Sequence, residues 1–218
     1  MNYDLINNNT VELSGEVLDS PQYSHEIYNE AFYEFNLKVM RLSDTFDVVP
    51  VTISEKLLFD NNVEKGKKIS TVGQFRSFNK MEDGKSKLML TMFVRELKPF
   101  DEKLNPNKIE IVGYICKEPI YRTTPFKREI CDVLLAVNRN YNKSDYLPCI
   151  AWGRNARFVK NLQVGDKVVV SGRIQSREYQ KRQEDGNILS RMAYEVSLSQ
   201  VSLEDRNMNR LDSVKEVM

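Results

Sequence analysis

The 218-residue sequence has few of the side chains that build catalytic or metal centres. It has one histidine, His25, and three widely spaced cysteines in apolar runs, Cys116, Cys131 and Cys149. A zinc site needs paired cysteines or clustered histidines, and neither is present, so the cysteines are predicted to be buried thiols. The chain also has no nucleophile motif and no carboxylate pair spaced for acid/base work. We therefore expect no enzyme, no metal and no cofactor.

Long apolar runs are missing too. No run approaches the ~20 residues that a transmembrane helix needs, and the N-terminus has neither the basic start nor the apolar stretch of a signal peptide. We therefore expect a cytoplasmic protein that does not enter a membrane. With 41% hydrophobic and 10% aromatic residues, the chain can nevertheless build packed cores.

The net charge of +1 conceals a difference between the two halves. Residues 10–98 hold 12 Lys or Arg against 14 Asp or Glu, a net charge of −2. Residues 109–203 hold 15 against 10, a net charge of +5. A basic half beside an acidic one hints at a polyanionic partner for the basic half.

The second half of the chain repeats the first. Residues 11–17 (VELSGEV) correspond to 109–115 (IEIVGYI) at a shift of 98 positions, and Pro21 falls on Pro119. At a shift of 99, residues 63–69 (VEKGKKI) correspond to 162–168 (LQVGDKV). Chance does not preserve glycine, proline and apolar phase over such a length, so the pattern predicts a duplicated domain. The predicted organisation is an N-terminal domain at 1–98, a linker at 99–107, a C-terminal domain at 108–204 and a short polar tail at 205–218.

Each copy has the same order of predicted elements. In the second copy, strands are predicted at 109–116, 130–138, 146–152, 167–179 and about 192–203, with a helix at 154–162 that has Phe158 and Leu162 on one side. Five strands with a helix between the third and fourth is the order of the OB-fold, a partly open Greek-key barrel. We therefore predict an all-β fold of two tandem five-stranded OB-fold barrels, with one short helix in each.

The phase of the strands separates core from surface, because alternate side chains point to opposite faces. On the long fourth strand of the second copy, one face is predicted to be core: Val168, Val170, Gly172 and Ile174. The opposite face is basic and ends in an aromatic ring: Val169, Ser171, Arg173, Gln175, Arg177 and Tyr179. On the third strand, the residues predicted to point inward are Leu147, Cys149 and Ala151, which leaves Tyr146 and Trp152 outside.

Exposed rings beside arginines suit single-stranded nucleic acid, since unpaired bases stack on the rings and guanidinium groups contact phosphates. The same pattern also fits a solvated sheet face and a Trp152 that closes one end of the barrel. Strand phase alone leaves both interpretations open.

Four blocks of the second copy resemble the bacterial single-stranded DNA-binding protein (SSB) family. They are residues 109–113 (IEIVG), 134–139 (LLAVNR), 147–153 (LPCIAWG) and 172–179 (GRIQSREY). The resemblance implies four aromatic positions that stack on bases, and here they are Tyr141, Tyr146, Trp152 and Tyr179. The implied function is non-catalytic, largely sequence-independent binding of single-stranded DNA in replication, recombination or repair.

Basic residues of the second copy are predicted to support this binding by contacting phosphates: Arg122, Arg139, Lys143, Arg154, Arg157, Arg173, Arg177, Lys181 and Arg182. Two other functions stay open at this point. One is an OB-fold scaffold or primosomal accessory subunit that binds proteins and has weak affinity for nucleic acid. The other is a nuclease, which the lack of an acidic metal-binding cluster disfavours.

The first copy lacks the four rings. Under the repeat shift, the positions of Tyr141, Tyr146, Trp152 and Tyr179 are held by Ser43, Val48, Ser54 and Lys80. We therefore expect the first copy to be mainly structural, pairing subunits or extending a groove, with a weak secondary site at Arg76 and Phe78.

The resemblance carries two expectations about assembly. Family members usually bring four OB-folds together, so a chain with two is expected to form a homodimer. Family members also typically end in a flexible tail with an acidic tip that recruits replication enzymes. The last eight residues here, LDSVKEVM, do not resemble that tip, so recruitment by this route is not expected. The implied location is the nucleoid.

Overall fold

The computed structural model describes residues 8–82, 84–102, 107–182 and 188–204, without the side chains of residues 181 and 182. The first copy forms β1 (Asn9–Val17), β2 (Gln22–Ile27), β3 (Glu30–Met40), β4 (Phe46–Ser54), α1 (Glu55–Asp60), β5 (Lys68–Glu82) and β6 (Lys85–Lys98). The second forms β7 (Asn107–Ile115), β8 (Ile120–Thr123), β9 (Glu129–Arg139), β10 (Lys143–Trp152), α2 (Arg154–Val159), β11 (Lys167–Arg182) and β12 (Ile188–Leu203).

Each copy closes into a five-stranded barrel. In the first, β3, β4, β6, β5 and β1 pair in that order, and pairing between β1 and β3 closes the ring. In the second, β9, β10, β12, β11 and β7 pair in the same order, closed by β7 and β9. In each ring one pairing is parallel, β4 with β6 and β10 with β12. This is the predicted pair of OB-fold barrels.

The predicted inner faces of the second copy are confirmed, although Gln175, which was predicted on the outer face of β11, is buried too. Val168, Val170 and Ile174 are buried on β11, and Leu147, Cys149 and Ala151 are buried on β10. Cys131 is buried as well, and Cys116 is partly buried; all three thiols are free. The face expected of the helix is wrong in part: α2 ends at Val159, its buried residues are Ala156 and Val159, and Phe158 is 39% exposed. Leu162 is buried, but beyond the end of the helix.

Gly73 and Gly172 match in the repeat, and a steric constraint explains why both positions are glycine. A β-carbon on Gly73 would lie 2.0 Å from the carbonyl oxygen of Phe93, and one on Gly172 would lie 2.2 Å from that of Ser197. Both glycines lie at a β-bulge, where the long strand shifts register against the final strand. Any side chain here would push the two strands apart.

The two barrels are joined by an antiparallel ladder between β1 and β7. Val11 lies opposite Ile109, and Asn9 opposite Ile111, so the two first strands form a continuous sheet across the copies. All four of these side chains are buried. The sequence did not predict this pairing, or the short strands β2 and β8.

Matching serine–aspartate contacts also cross between the copies. The amide N–H of Ser176 donates to Asp47 Oδ1 at 2.8 Å, and the amide N–H of Ser77 donates to Asp145 Oδ1 at 2.7 Å. Each serine hydroxyl then accepts from the amide that follows the aspartate. Because these pairs are related by the repeat, the barrels meet through two equivalent halves of one interface.

In the part of the chain that the structure describes, neither helix has the length and apolar character of a membrane span.

Candidate nucleic-acid interface

Two of the four predicted rings lie on the outer face of β10. Tyr146 is 46% exposed and Trp152 is 37% exposed, while Leu147, Cys149 and Ala151 between them point into the core. The indole Nε1–H of Trp152 donates to Ser197 Oγ on β12 at 3.2 Å. This bond fixes the ring against the outer face, so Trp152 is not a plug at the end of the barrel.

The other two rings lie in the two hairpins of the second copy. Tyr141 is in the turn between β9 and β10, has a positive φ of 63° and is 93% exposed. Tyr179 is 36% exposed on β11, and the guanidinium of Arg177 lies 6.0 Å from its ring centroid. All four rings are therefore accessible from solvent.

Several of the predicted cations on this copy are paired with carboxylates. Arg122 Nε lies 2.8 Å from Asp132, Arg157 lies 3.4 Å from Glu129, and Arg177 lies 3.9 Å from Glu195. Each of these arginines stays more than half exposed, so a phosphate can still approach it. Lys143 and Arg154 are exposed as well. The side chains of Lys181 and Arg182 lie outside the described part of the chain.

Two of the predicted cations lie beside buried aspartates, Arg173 beside one of the first copy and Arg139 beside one of its own copy. Arg173 Nη1 lies 3.6 Å from Asp47 Oδ2, and Arg139 Nε lies 3.1 Å from Asp145 Oδ2. Both aspartates are buried at the junction of the barrels. The structure therefore places Arg173 and Arg139 at the interface between the copies, and their contact with DNA stays a prediction.

The two buried aspartates differ in the hydrogen bonds that their carboxylates accept. Arg41 donates to both oxygens of Asp47, from Nε at 2.9 Å and from Nη2. Arg139 is near Asp145, but its N–H is not aimed at the carboxylate, so Arg139 Nε and Asp145 Oδ2 are buried without a hydrogen bond. Burial raises the pKa of Asp145 above its ordinary value, and the Ser77 amide and Arg139 oppose this only in part.

The first copy has side chains other than rings at the four equivalent positions, as expected. Phe78, one of the two residues predicted as a weak site there, is 43% exposed and lines a cavity of about 310 Å³ with Pro50, Met89 and Thr91. Arg76, the other, lies on the same strand and is stacked 3.7 Å from the ring centroid of Phe93. Burial lowers the pKa of Arg76 to about 10, so its guanidinium remains charged at neutral pH.

Sequence reasoning missed a cluster of rings on the first copy, formed by His25, Phe32 and Phe93. The rings of His25 and Phe32 are stacked 5.1 Å apart, and Phe32 lies 5.6 Å from Phe93. One signal was available: Phe93 lies between the apolar residues Met92 and Val94, so alternation places its ring on the outer face.

In the part of the chain that the structure describes, no group of three or more His, Cys, Asp or Glu is placed to hold a metal ion.

Residues 106–204 match the model of the single-strand binding protein family. The match covers the whole of the second copy. Over 84 residues the chain is 36% identical to Single-stranded DNA-binding protein 1 of Staphylococcus aureus (strain COL), covering 35% of this chain and 50% of that protein. It is 34% identical over 84 residues to Single-stranded DNA-binding protein A of Bacillus subtilis (strain 168), covering 35% of this chain and 49% of that protein. The chain thus spans about half the length of these curated relatives.

Most of the chain also resembles a solved structure. The wild-type single-stranded DNA binding protein from Thermus aquaticus superposes with a TM-score of 0.71, covering 91% of this chain and 94% of that one, at 20% sequence identity. This likeness includes both copies, although the family model matches only the second. It establishes that the tandem barrels are OB-folds.

Proposed function

We propose that this protein binds single-stranded DNA without catalysing a reaction, and that the outer face of the second barrel carries the main binding surface. The observation that carries the proposal is the placement of Tyr146 and Trp152 on one exposed face, within the segment that matches the family. The names of the relatives, which describe proteins that bind single-stranded DNA, support it.

The mechanism combines two kinds of contact. Bases stack on Trp152, Tyr146, Tyr141 and Tyr179, a contact that every base can make because each has a π-face. Exposed cations such as Lys143, Arg154 and Arg177 attract the phosphates. Neither contact reads a base edge, so binding is largely independent of sequence, as a role in replication, recombination or repair requires. Such a ligand places the protein at the nucleoid in the cytoplasm.

Fluorescence anisotropy with labelled oligo-dT tests this function directly. We expect saturable binding that competes with unlabelled single strands and not with duplex DNA. The affinity should fall with salt, with a log–log slope of roughly −0.7 for each phosphate neutralised. Absence of binding at low salt would favour the alternative of a protein–protein scaffold, and cleavage of the oligonucleotide would favour an enzyme.

We also propose that two chains associate into a homodimer, which would bring four OB-fold barrels together. The resemblance to the SSB family supports this arrangement. The contacts between β1 and β7 already join two barrels within one chain, so the association of two such units is the step that remains.

A further inference from the structure

The strand register shows where the final strands of the two barrels correspond. At the bulge in each copy, Gly73 lies opposite Val94 and Gly172 lies opposite Leu198. Phe93 therefore occupies the place that Ser197 occupies in the second copy. The repeat shifts of 98 and 99 conceal this equivalence, because the hairpin before β12 is longer than the one before β6.

Rings and small side chains have exchanged places between these positions. In the second copy, Trp152 on β10 donates to Ser197 on β12. In the first copy, the place of Trp152 is held by Ser54 and the place of Ser197 is held by Phe93. The parallel pairings agree, since Thr52 lies opposite Phe93 and Ile150 lies opposite Ser197. An aromatic ring is thus present at the same part of both outer faces, carried by a different strand in each.

The ring of Phe93 in the first copy is packed against other side chains. Phe32 is only 7% exposed although it lies on the outer face, because Phe93 and His25 cover it. The guanidinium of Arg76 lies 3.7 Å from the Phe93 centroid and is held by two hydrogen bonds to Gln74 Oε1. The cluster therefore combines His25, Phe93 and a cation, which is the composition that stacks on nucleobases.

The cavity of about 310 Å³ continues this surface along the barrel. Thr91 lines the cavity two residues before Phe93 on β6, and Glu34 lines it two residues after Phe32 on β3. Residues two apart on a strand share a face. The ring cluster and the cavity, which Phe78 also lines, are thus neighbours on one face of the barrel.

We propose that the first barrel holds a second stacking site for an unpaired nucleobase, formed by Phe93, Arg76 and His25. The occupant is a base of the same single strand, because the site matches in place the Trp152 surface of the second copy. This inference rests on the proposed function. It gives the first copy, which was expected to be mainly structural, a defined binding site, and it moves the weak site from the pair Arg76 and Phe78 to Arg76 and Phe93.

The charge of the first copy decides how this site differs from the main one. With a net charge of −2 over residues 10–98, the first barrel gains little from phosphate contacts. Its binding should depend on stacking, and its contribution should therefore change little with salt.

A single-tryptophan reporter tests the site. In the double variant Trp152→Phe, Phe93→Trp, the only tryptophan lies in the first barrel. Titration with oligo-dT of about 40 nucleotides, long enough to cover more than one OB-fold, should quench its emission to saturation. The matched control is Trp152→Phe, Phe59→Trp, since Phe59 is an exposed ring of the same barrel outside the cluster. We expect little quenching in the control.

The outcomes separate this inference from the proposed function. If wild-type protein shows no anisotropy change with the oligonucleotide, both proposals fall. If the reporter variant binds by anisotropy but its emission stays constant, or the control responds equally, only the second site is overturned.

Affinity provides an independent measurement if the reporter variant does not fold. Phe93→Leu should weaken binding of the 40-nucleotide strand by about 5- to 150-fold, and Phe59→Leu should leave it unchanged. An oligonucleotide of about 8 nucleotides, which one OB-fold can occupy, should bind Phe93→Leu and wild type alike. Equal affinity of Phe93→Leu and wild type for the long strand would overturn the second site.

Discussion

Trp152 is the only tryptophan of the chain, and its side chain is partly exposed and makes one hydrogen bond. The bond to Ser197 Oγ anchors the ring without covering it. A base that stacks on the ring changes the environment of the only tryptophan fluorophore, so the residue is both a predicted contact and a reporter for it.

We expect Trp152→Ala to weaken binding of oligo-dT by about 1–3 kcal/mol, the usual value of one base–aromatic stack. Anisotropy measures the loss, and quenching of wild-type emission should saturate over the same titration. Phe126→Ala is the matched control, because Phe126 is an 87% exposed ring of the same copy outside the predicted site. An equal loss in both variants, or emission that does not respond to bound DNA, would remove Trp152 from the site.

The two aspartates at the junction of the barrels are equivalent in the repeat, but their hydrogen-bond partners differ. Asp47 accepts from Arg41 and from Ser176, whereas Asp145 accepts from the Ser77 amide and has no hydrogen bond from its arginine. The raised pKa of Asp145 follows from this deficit, since burial disfavours the charged carboxylate.

Asp47→Asn should therefore cost about 2–3 kcal/mol of unfolding free energy at neutral pH, because it removes charge-assisted bonds from Arg41. Asp145→Asn should cost much less, since an amide oxygen can still accept from Ser77. Urea denaturation of both variants and wild type measures the difference. Equal losses would show that the two halves of the interface are energetically the same.

The pH dependence follows from the same residue. Because the folded-state pKa of Asp145 is raised, the folded state binds the proton more tightly than the unfolded state. Wild type should gain stability relative to Asp145→Asn as pH falls through that raised pKa, and the gain should level off below the ordinary value of 3.8. If wild type instead gained stability relative to Asp145→Asn as pH rose, the fold would stabilise the charged form of the carboxylate.

At the scale of the strands and helices, the sequence predicted the features that follow from alternating apolar residues and from the internal repeat. The phase of Leu147, Cys149 and Ala151 set the inner face of β10, and glycine and proline preserved across the repeat revealed two copies of one fold. The helix was predicted in place, but its face was not, because the buried residues are Ala156 and Val159 three apart and not Phe158.

What the sequence could not predict depends on contacts between distant residues. The sequence of an apolar strand such as β1 does not specify which strand it pairs with, so its pairing with β7 could not be predicted. The ring cluster of the first copy was hidden for a related reason: Phe93 corresponds to Ser197 by strand pairing, and a comparison at a constant shift cannot find that position. The predicted site of the second copy was carried by family resemblance, which names positions and not their ion-pair partners.

The β1–β7 ladder and the crossing serine–aspartate contacts predict that both barrels unfold in a single transition. The fluorescence emission of Trp152 reports the unfolding of the second copy, and far-ultraviolet circular dichroism reports the unfolding of both copies. The two signals should give the same urea midpoint. Separate midpoints would mean that the contacts between Asp47 and Ser176 and between Ser77 and Asp145 do not couple the copies.

At the scale of the whole molecule, the proposed homodimer has a direct measurement. Light scattering should give twice the chain mass of 25.4 kDa, about 51 kDa, at micromolar concentration. Binding of oligo-dT should then occur with one strand for each two chains when the strand is long enough to reach all four barrels. A mass of one chain, with DNA binding intact, would show that two barrels suffice.

The pairing of β1 with β7 lies within one polypeptide, and this has a consequence for experiments at low concentration. Two barrels on separate chains would part when the protein is diluted, whereas barrels on one chain keep a constant effective concentration toward each other. The pair should persist at concentrations where any dimer of chains has dissociated. Single-molecule measurements at such dilution would therefore observe the two-barrel unit alone on DNA, and any behaviour that disappears there belongs to the association of chains.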